Sequence, residues 1–159
     1  MKTYAAVAVA KRFLVLAQSD ADHIQDISNM KLQKLVFFAQ LCSICSYDGL
    51  PIHFNNTHAW DYGPVVPALY KILKPFGRNF ITLSNPQMAA AFEGEEDITD
   101  PQAVEVIKMV WDKFKSWTSI QLSALTHRRN SPWSITYNKD RYGIIPLELI
   151  RERRFGDAE

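Results

Sequence analysis

Between Tyr4 and Ala17, apolar residues recur at spacings of three and four: Ala6, Val9, Ala10, Phe13, Leu14 and Ala17 share one side of a helical repeat and predict an amphipathic first helix. Ser19-Asp20-Ala21-Asp22 breaks the pattern as a polar connection. Ser28 has the chemistry of an N-cap, and a second helix is predicted from there through Met30 to about Ser46. Leu32, Leu35, Val36, Ala39, Cys42 and Cys45 form its apolar stripe, with Lys31, Gln33 and Lys34 partly elsewhere on the circumference. Asp48-Gly49 ends it. The segments Leu50 to Phe54 and Thr57 to Trp60 read as two short strands of a small hairpin turning at Asn55-Asn56.

Gly63-Pro64 closes that segment, and Pro67 suits the first turn of a helix running through Leu69, Tyr70 and Leu73 to Lys74, stopped by Pro75 and Gly77. Phe80 to Leu83 reads as a short strand, and the stretch after it, with Glu93, Gly94, Glu95, Glu96 and Asp97, as a solvated loop. Asp100-Pro101 couples a capping carboxylate to a proline at the first helical position. It opens a helix in which Val104, Ile107, Val110, Trp111 and Phe114 share a face. Thr118 to Gln121 fits a capping box before Leu122 and Leu125, giving a short helix to about His127. Ser131-Pro132-Trp133 repeats the cap-then-proline arrangement, and Ile145-Pro146 opens a last helix with Leu147 and Ile150 inward. The chain after about Phe155 is expected to fray. These elements predict a mainly α, compact helical domain of about six helices with a small β-hairpin. No repeat or Gly/Pro-rich linker divides residues 1–159, which read as a single domain.

Composition narrows the function classes. With 18 Lys and Arg against 17 Asp and Glu, the net charge is +1, without the basic excess of a dedicated nucleic-acid binder. Hydrophobic residues make up 47%, enough for a core without disulfide or metal staples. Lys11 and Arg12 interrupt the apolar start before a secretory cleavage pattern develops, and no apolar run approaches the ~18 residues of a membrane span. A cytoplasmic protein without membrane attachment is the expectation.

Candidate chemistry is sparse. Cys42 and Cys45 form a C-x-x-C pair with His53 and His58 downstream, donors of the type that hold zinc. The pair falls within a helical pattern instead of a tight knuckle, and its distance to His53 is shorter than zinc-finger spacing, so burial is the favoured reading and metal binding the alternative. Nucleophile elbows, zincin motifs and phosphate-binding glycine loops are absent from the sequence, which argues against an enzyme. His127 near Ser131 lacks an orienting third group and reads as a helix-end residue. Arg128-Arg129 and Arg151, Arg153, Arg154 sit among glutamates and read as solvated helix surface. Trp60, Tyr62, Tyr70, Trp117 and Trp133 carry more information, because large aromatics concentrate both in cores and at the energetic centres of protein interfaces. In Trp60-Asp61-Tyr62-Gly63-Pro64, glycine and proline hold the aromatics in place.

Two blocks carry a family resemblance. Met30 to Gln40 (MKLQKLVFFAQ) and Ala59 to Tyr70 (AWDYGPVVPALY) resemble the signature blocks of the Panacea antitoxin domain, also called SocA-like and found in phage-associated GepA-type proteins. Val9 to Leu14, Leu122 to His127 with Ser131-Pro132-Trp133, and Ile145 with Ile150 extend the resemblance over about Tyr4 to Phe155. The resemblance implies a mostly helical antitoxin that binds a toxin protein encoded beside it; some relatives act as adaptors delivering the toxin to a AAA+ protease. It singles out Lys31, Gln33, Lys34, Phe37, Gln40, Trp60, Tyr62, Gly63, Pro64, Tyr70 and Trp133 as motif or partner-binding positions, and it implies no cofactor. Phe37 stands where the family commonly has Tyr, and Asp61 where a basic or other polar residue is frequent.

Overall fold

The computed structural model describes residues 1–23 and 26–157. Its elements in chain order are α1 (Ala6–Gln18), α2 (Asn29–Ser46), β1 (His58–Trp60), β2 (Gly63–Val65), α3 (Pro67–Leu73), α4 (Pro86–Ala91), α5 (Pro101–Phe114), α6 (Ser119–Thr126), α7 (Pro132–Lys139) and α8 (Leu147–Arg153). A 3-10 turn, Lys74–Phe76, prolongs α3. The mainly α fold with a small hairpin is as expected, with eight helices among the described residues instead of about six. No helix among them is long and apolar enough to cross a membrane.

The predicted caps close as the side-chain chemistry requires. The Ser28 hydroxyl accepts from the Lys31 amide, Asp100 from Gln102 and Ala103, and Ser131 from Ser134. Thr118 and Gln121 complete a reciprocal capping box, each of them satisfying an amide that the first turn leaves without a partner. The additional helix, α4, begins at Asn85-Pro86, whose side-chain oxygen accepts from Gln87 and Met88, and it occupies part of the stretch expected to be loop. Phe80 to Leu83 is not a strand; the Ile81 amide bonds to the Ile27 carbonyl while the Ile81 side chain is buried.

The second helix departs most from expectation. Every residue from Lys31 to Leu41 is buried, so α2 has no solvent face over its middle three turns and is a central post rather than an amphipathic surface helix. It packs against α1, α3, α5, α6, α8 and β2. Phe38 stacks on Phe114 of α5 with ring centroids 4.7 Å apart, and Phe155 closes over Phe38 from beyond α8. Of the chain past Phe155, expected to fray, residues 156 and 157 are tied down instead, the Asp157 amide donating to the Arg129 carbonyl at 2.8 Å; residues 158 and 159 lie outside the described residues. In α8, Ile150 points inward as predicted, whereas Leu147 is exposed because it sits in the first turn, away from the α2 contact.

The hairpin exists but in a different register. The segment 50–54 does not pair with 57–60. It is claimed by the N-terminus, where the Tyr4 amide donates to the Ile52 carbonyl at 2.8 Å and the Phe54 amide to the Tyr4 carbonyl at 3.1 Å. The Tyr4 hydroxyl in turn accepts from Asp100 and Thr99 at the start of α5. β1 therefore pairs with β2, with Trp60 opposite Gly63 and Asp61-Tyr62 as a two-residue loop.

Candidate functional site

The hairpin tip is fixed from three directions. Asp61 accepts from the Tyr137 hydroxyl at 2.6 Å, the Tyr142 hydroxyl at 2.8 Å and the Arg141 guanidinium at 2.8 and 3.0 Å. These contacts hold its carboxyl below the usual carboxylate range and push both tyrosines up. The Trp133 indole N–H donates to the Trp60 carbonyl at 2.7 Å, and its ring stacks on Tyr137. Ser123 donates to the Tyr62 carbonyl at 2.9 Å. Trp60 meets Tyr70 of α3 edge to face, with centroids 5.0 Å apart. A loop of this length with every anchor occupied presents its aromatics in a fixed geometry, which lowers the entropy lost when something binds them. Tyr62 stands 72% exposed at the end of it.

Beneath the tip lies an open groove of about 810 Å³. One wall is the start of α2, from Ser28 to Lys34; the other is the hairpin with Trp60, Asp61, Tyr62 and Val65; Tyr70, Lys74 and Arg78 close one end. The groove thus unites the two sequence blocks, which lie about thirty residues apart along the chain.

The polar residues of α2 divide by what they touch. Gln33 accepts from the Val66 amide at 2.9 Å, fastening the exit of β2 to the helix. Gln40 both donates to and accepts from the His53 backbone, each bond 3.1 Å long. Lys31 donates to the Lys115 carbonyl at the end of α5 at 2.6 Å and lies 3.6 Å from Asp26. Ser43 donates to the Leu50 carbonyl at 2.6 Å. Each of these side chains replaces water for a backbone group that the fold has buried. Lys34 differs: it is 1% exposed, lines the groove, and has no hydrogen-bond or ion-pair partner among the described residues. Burial alone pushes its pKa down from 10.5 to about 8.

Gly63 is required beside it. Its φ is +121°, and a Cβ there would lie 2.7 Å from Lys34 Cε, 3.1 Å from Lys34 Nζ and 3.1 Å from Thr126 Oγ1. Gly63→Ala is expected to cost about 2 kcal/mol or more from backbone strain and crowding together, a fall of roughly 4–8 °C in Tm by thermal melting. A melting temperature unchanged within a degree would mean that the hairpin relaxes without loss.

The remaining predicted positions serve the interior. Phe37 is buried against Phe38, and Pro64 is buried in β2 opposite Ala59. Cys42 and Cys45 are half-buried free thiols whose pKa is raised by burial, the opposite of what a reactive or metal-binding thiolate needs. His53 is buried at the bridge to Tyr4, while the His58 ring nitrogen lies 2.8 Å from the Tyr142 carbonyl. Among the described residues no three His, Cys, Asp or Glu side chains gather as a metal site, so the four candidate ligands are not brought together. His127 caps α6 and packs on Trp133.

The family described as Antitoxin SocA-like, Panacea domain, matches residues 32–134, a span that runs from the first turns of α2 into α7 and includes the hairpin wall of the groove together with Gln33 and Lys34 of the other. The chain belongs to the SocA-like Panacea-domain family. It is also similar to the Antitoxin SocA of Caulobacter vibrioides (strain NA1000 / CB15N), at 27% identity over an alignment of 120 positions that covers 70% of this chain. The matched region covers 61% of that relative's length. No solved structure matches the chain. Within this Panacea domain, Gln40, Phe37, Pro64 and Trp133 hold elements together, Gln33 does so while also lining the groove, and Lys34, Trp60, Tyr62 and Tyr70 line it with Gln33. Arg78 at the groove's end and the Asp61 anchors Tyr137, Arg141 and Tyr142 were not singled out by the sequence. They lie in segments whose local pattern reads only as surface.

Proposed function

We propose that the protein is an antitoxin that neutralises a toxin protein by stoichiometric binding, with the groove and hairpin tip as the contact face and no catalytic turnover. The observation that carries this reading is the convergence of both sequence blocks on one groove with rigidly anchored aromatics. Pre-organised aromatic anchors beside cationic side chains are the features that concentrate binding energy in protein interfaces. The similarity to a protein named as an antitoxin supports the same reading. The proposed setting is the cytoplasm, with residues 1–159 acting as a single domain, without cofactor, membrane or nucleic-acid partner.

Co-expression with the product of the adjacent gene is the test. Growth is expected to recover as the two proteins approach equal amounts, and the pair is expected to co-purify as a complex of fixed stoichiometry. Rescue at strongly substoichiometric levels, or without association, would overturn binding as the mechanism. A pulse-chase measurement separates masking from delivery to a AAA+ protease, because only delivery shortens the toxin's half-life when this protein is present.

A further inference from the structure

The buried polar side chains of α2 set a pattern with one exception. Lys31, Gln33, Gln40 and Ser43 each reach a partner elsewhere in the fold. Lys34, buried as deeply as Gln40, has none among the described residues, and its side chain runs beside Gly63 to the groove. An ammonium almost wholly removed from water, with no counter-charge among the described residues, is costly, and its replacement by an apolar side chain of similar length would relieve that cost.

The groove around it has an unmet positive potential. Asp61 is the one carboxylate among its described lining residues, and Arg141, Tyr137 and Tyr142 already occupy its oxygens. Lys74 and Arg78 add exposed positive charge at one end. The N-terminus of α2, with Ser28, Asn29 and Met30, opens onto the same space and contributes the positive end of an 18-residue helix. Trp60 and Tyr70, in edge-to-face contact, line the same groove and offer apolar surface to whatever enters it.

We propose that this groove is a carboxylate-recognition site, in which Lys34 receives the side chain of an Asp or Glu carried on a segment of the protein partner, with a neighbouring apolar residue of that segment against Trp60 and Tyr70. The identity of the carboxylate's owner as a toxin rests on the function proposed above; the site itself does not. A protein carboxylate fits better than a free phosphate because it matches the one buried ammonium charge for charge and brings an apolar neighbour for the Trp60 and Tyr70 surface, which a phosphate lacks.

The test uses the full chain with isotope-labelled lysines, the Lys34 side-chain signal being assigned by its loss in Lys34→Met. Titration with the blocked dipeptide N-acetyl-Glu-Leu-amide is expected to move that signal saturably, with N-acetyl-Gln-Leu-amide about tenfold weaker or more, as for loss of a charge-assisted bond. No movement, equal responses to the two peptides, or a stronger response to inorganic phosphate would overturn the proposal. In the toxin complex, Lys34→Met is expected to weaken binding about 10–100-fold while remaining folded. Undiminished toxin binding by this variant would overturn the carboxylate site and leave the antitoxin reading standing. A Glu-selective response at Lys34 in a protein that binds no toxin would do the reverse.

Discussion

Replacing Lys34 by Met is expected to make the free protein more stable, by about 3 kcal/mol at pH 7, even though it removes the side chain proposed to receive the partner. Lys34 is 1% exposed, and burial pushes its pKa from 10.5 to about 8. For a lysine whose folded pKa is depressed, the unfolded chain holds more protons than the folded one between those two values, so wild-type stability rises as pH climbs through that window. Below it, the folded protein bears the whole cost of the buried charge. Denaturant melts of both proteins at pH 7 and pH 10 check this: the gap between them should be widest at the lower pH and narrow at the higher. Tyr62, Tyr70, Lys74, Arg78, Asp61 and Tyr142 line the same groove but are present in both proteins, so the difference isolates Lys34. A variant less stable than wild type at pH 7 would mean that Lys34 has a stabilising partner in the free fold.

Acidification is expected to produce the second large effect. His53 is 1% exposed, its Nδ1 accepts from the Asn55 amide, and its Nε2 has no partner among the described residues. Burial lowers its pKa from 6.5 to about 4, which keeps it neutral in the folded state. As pH falls between those values the unfolded chain takes up a proton that the folded chain refuses, and about 3 kcal/mol of stability is lost across the window. The lowered carboxyls of Asp61, Asp100 and Asp112 contribute on the same side but further down, below the ordinary Asp value of 3.8. His53→Asn, which keeps an acceptor for the Asn55 amide, should be less stable at pH 7 yet show a flatter profile from pH 6.5 to 4. An unchanged acid limb in that variant would move the cause to another group.

The two effects follow from parts of the fold that the sequence reveals unequally. Helix starts were legible because capping is local: Ser28, Asp100, Thr118 and Ser131 each close a bond within three residues. Asn85-Pro86 carries the same signature, but the polar and acidic residues after it outweighed a helix of only six residues. Pairing was not legible, since Tyr4 competes for the segment 50–54 from far along the chain, and nothing within that segment announces the competitor. The burial of Lys31, Gln33, Lys34 and Gln40 was hidden for a related reason. A polar residue on a helix reads as solvent-facing until the backbone groups it serves, such as the Val66 amide and the His53 backbone, are brought beside it by the fold. Of the groove, Trp60, Tyr62 and Tyr70 were visible as aromatics, but the isolation of Lys34 is a property of its surroundings and has no local sign.

The central post has a consequence for kinship. Most side chains of the stretch Lys31 to Leu41 are committed to neighbours inside the molecule, so two chains that agree there agree about their skeleton and need not agree about what they capture. Inherited likeness in that stretch therefore reports ancestry of the chassis rather than the identity of any quarry.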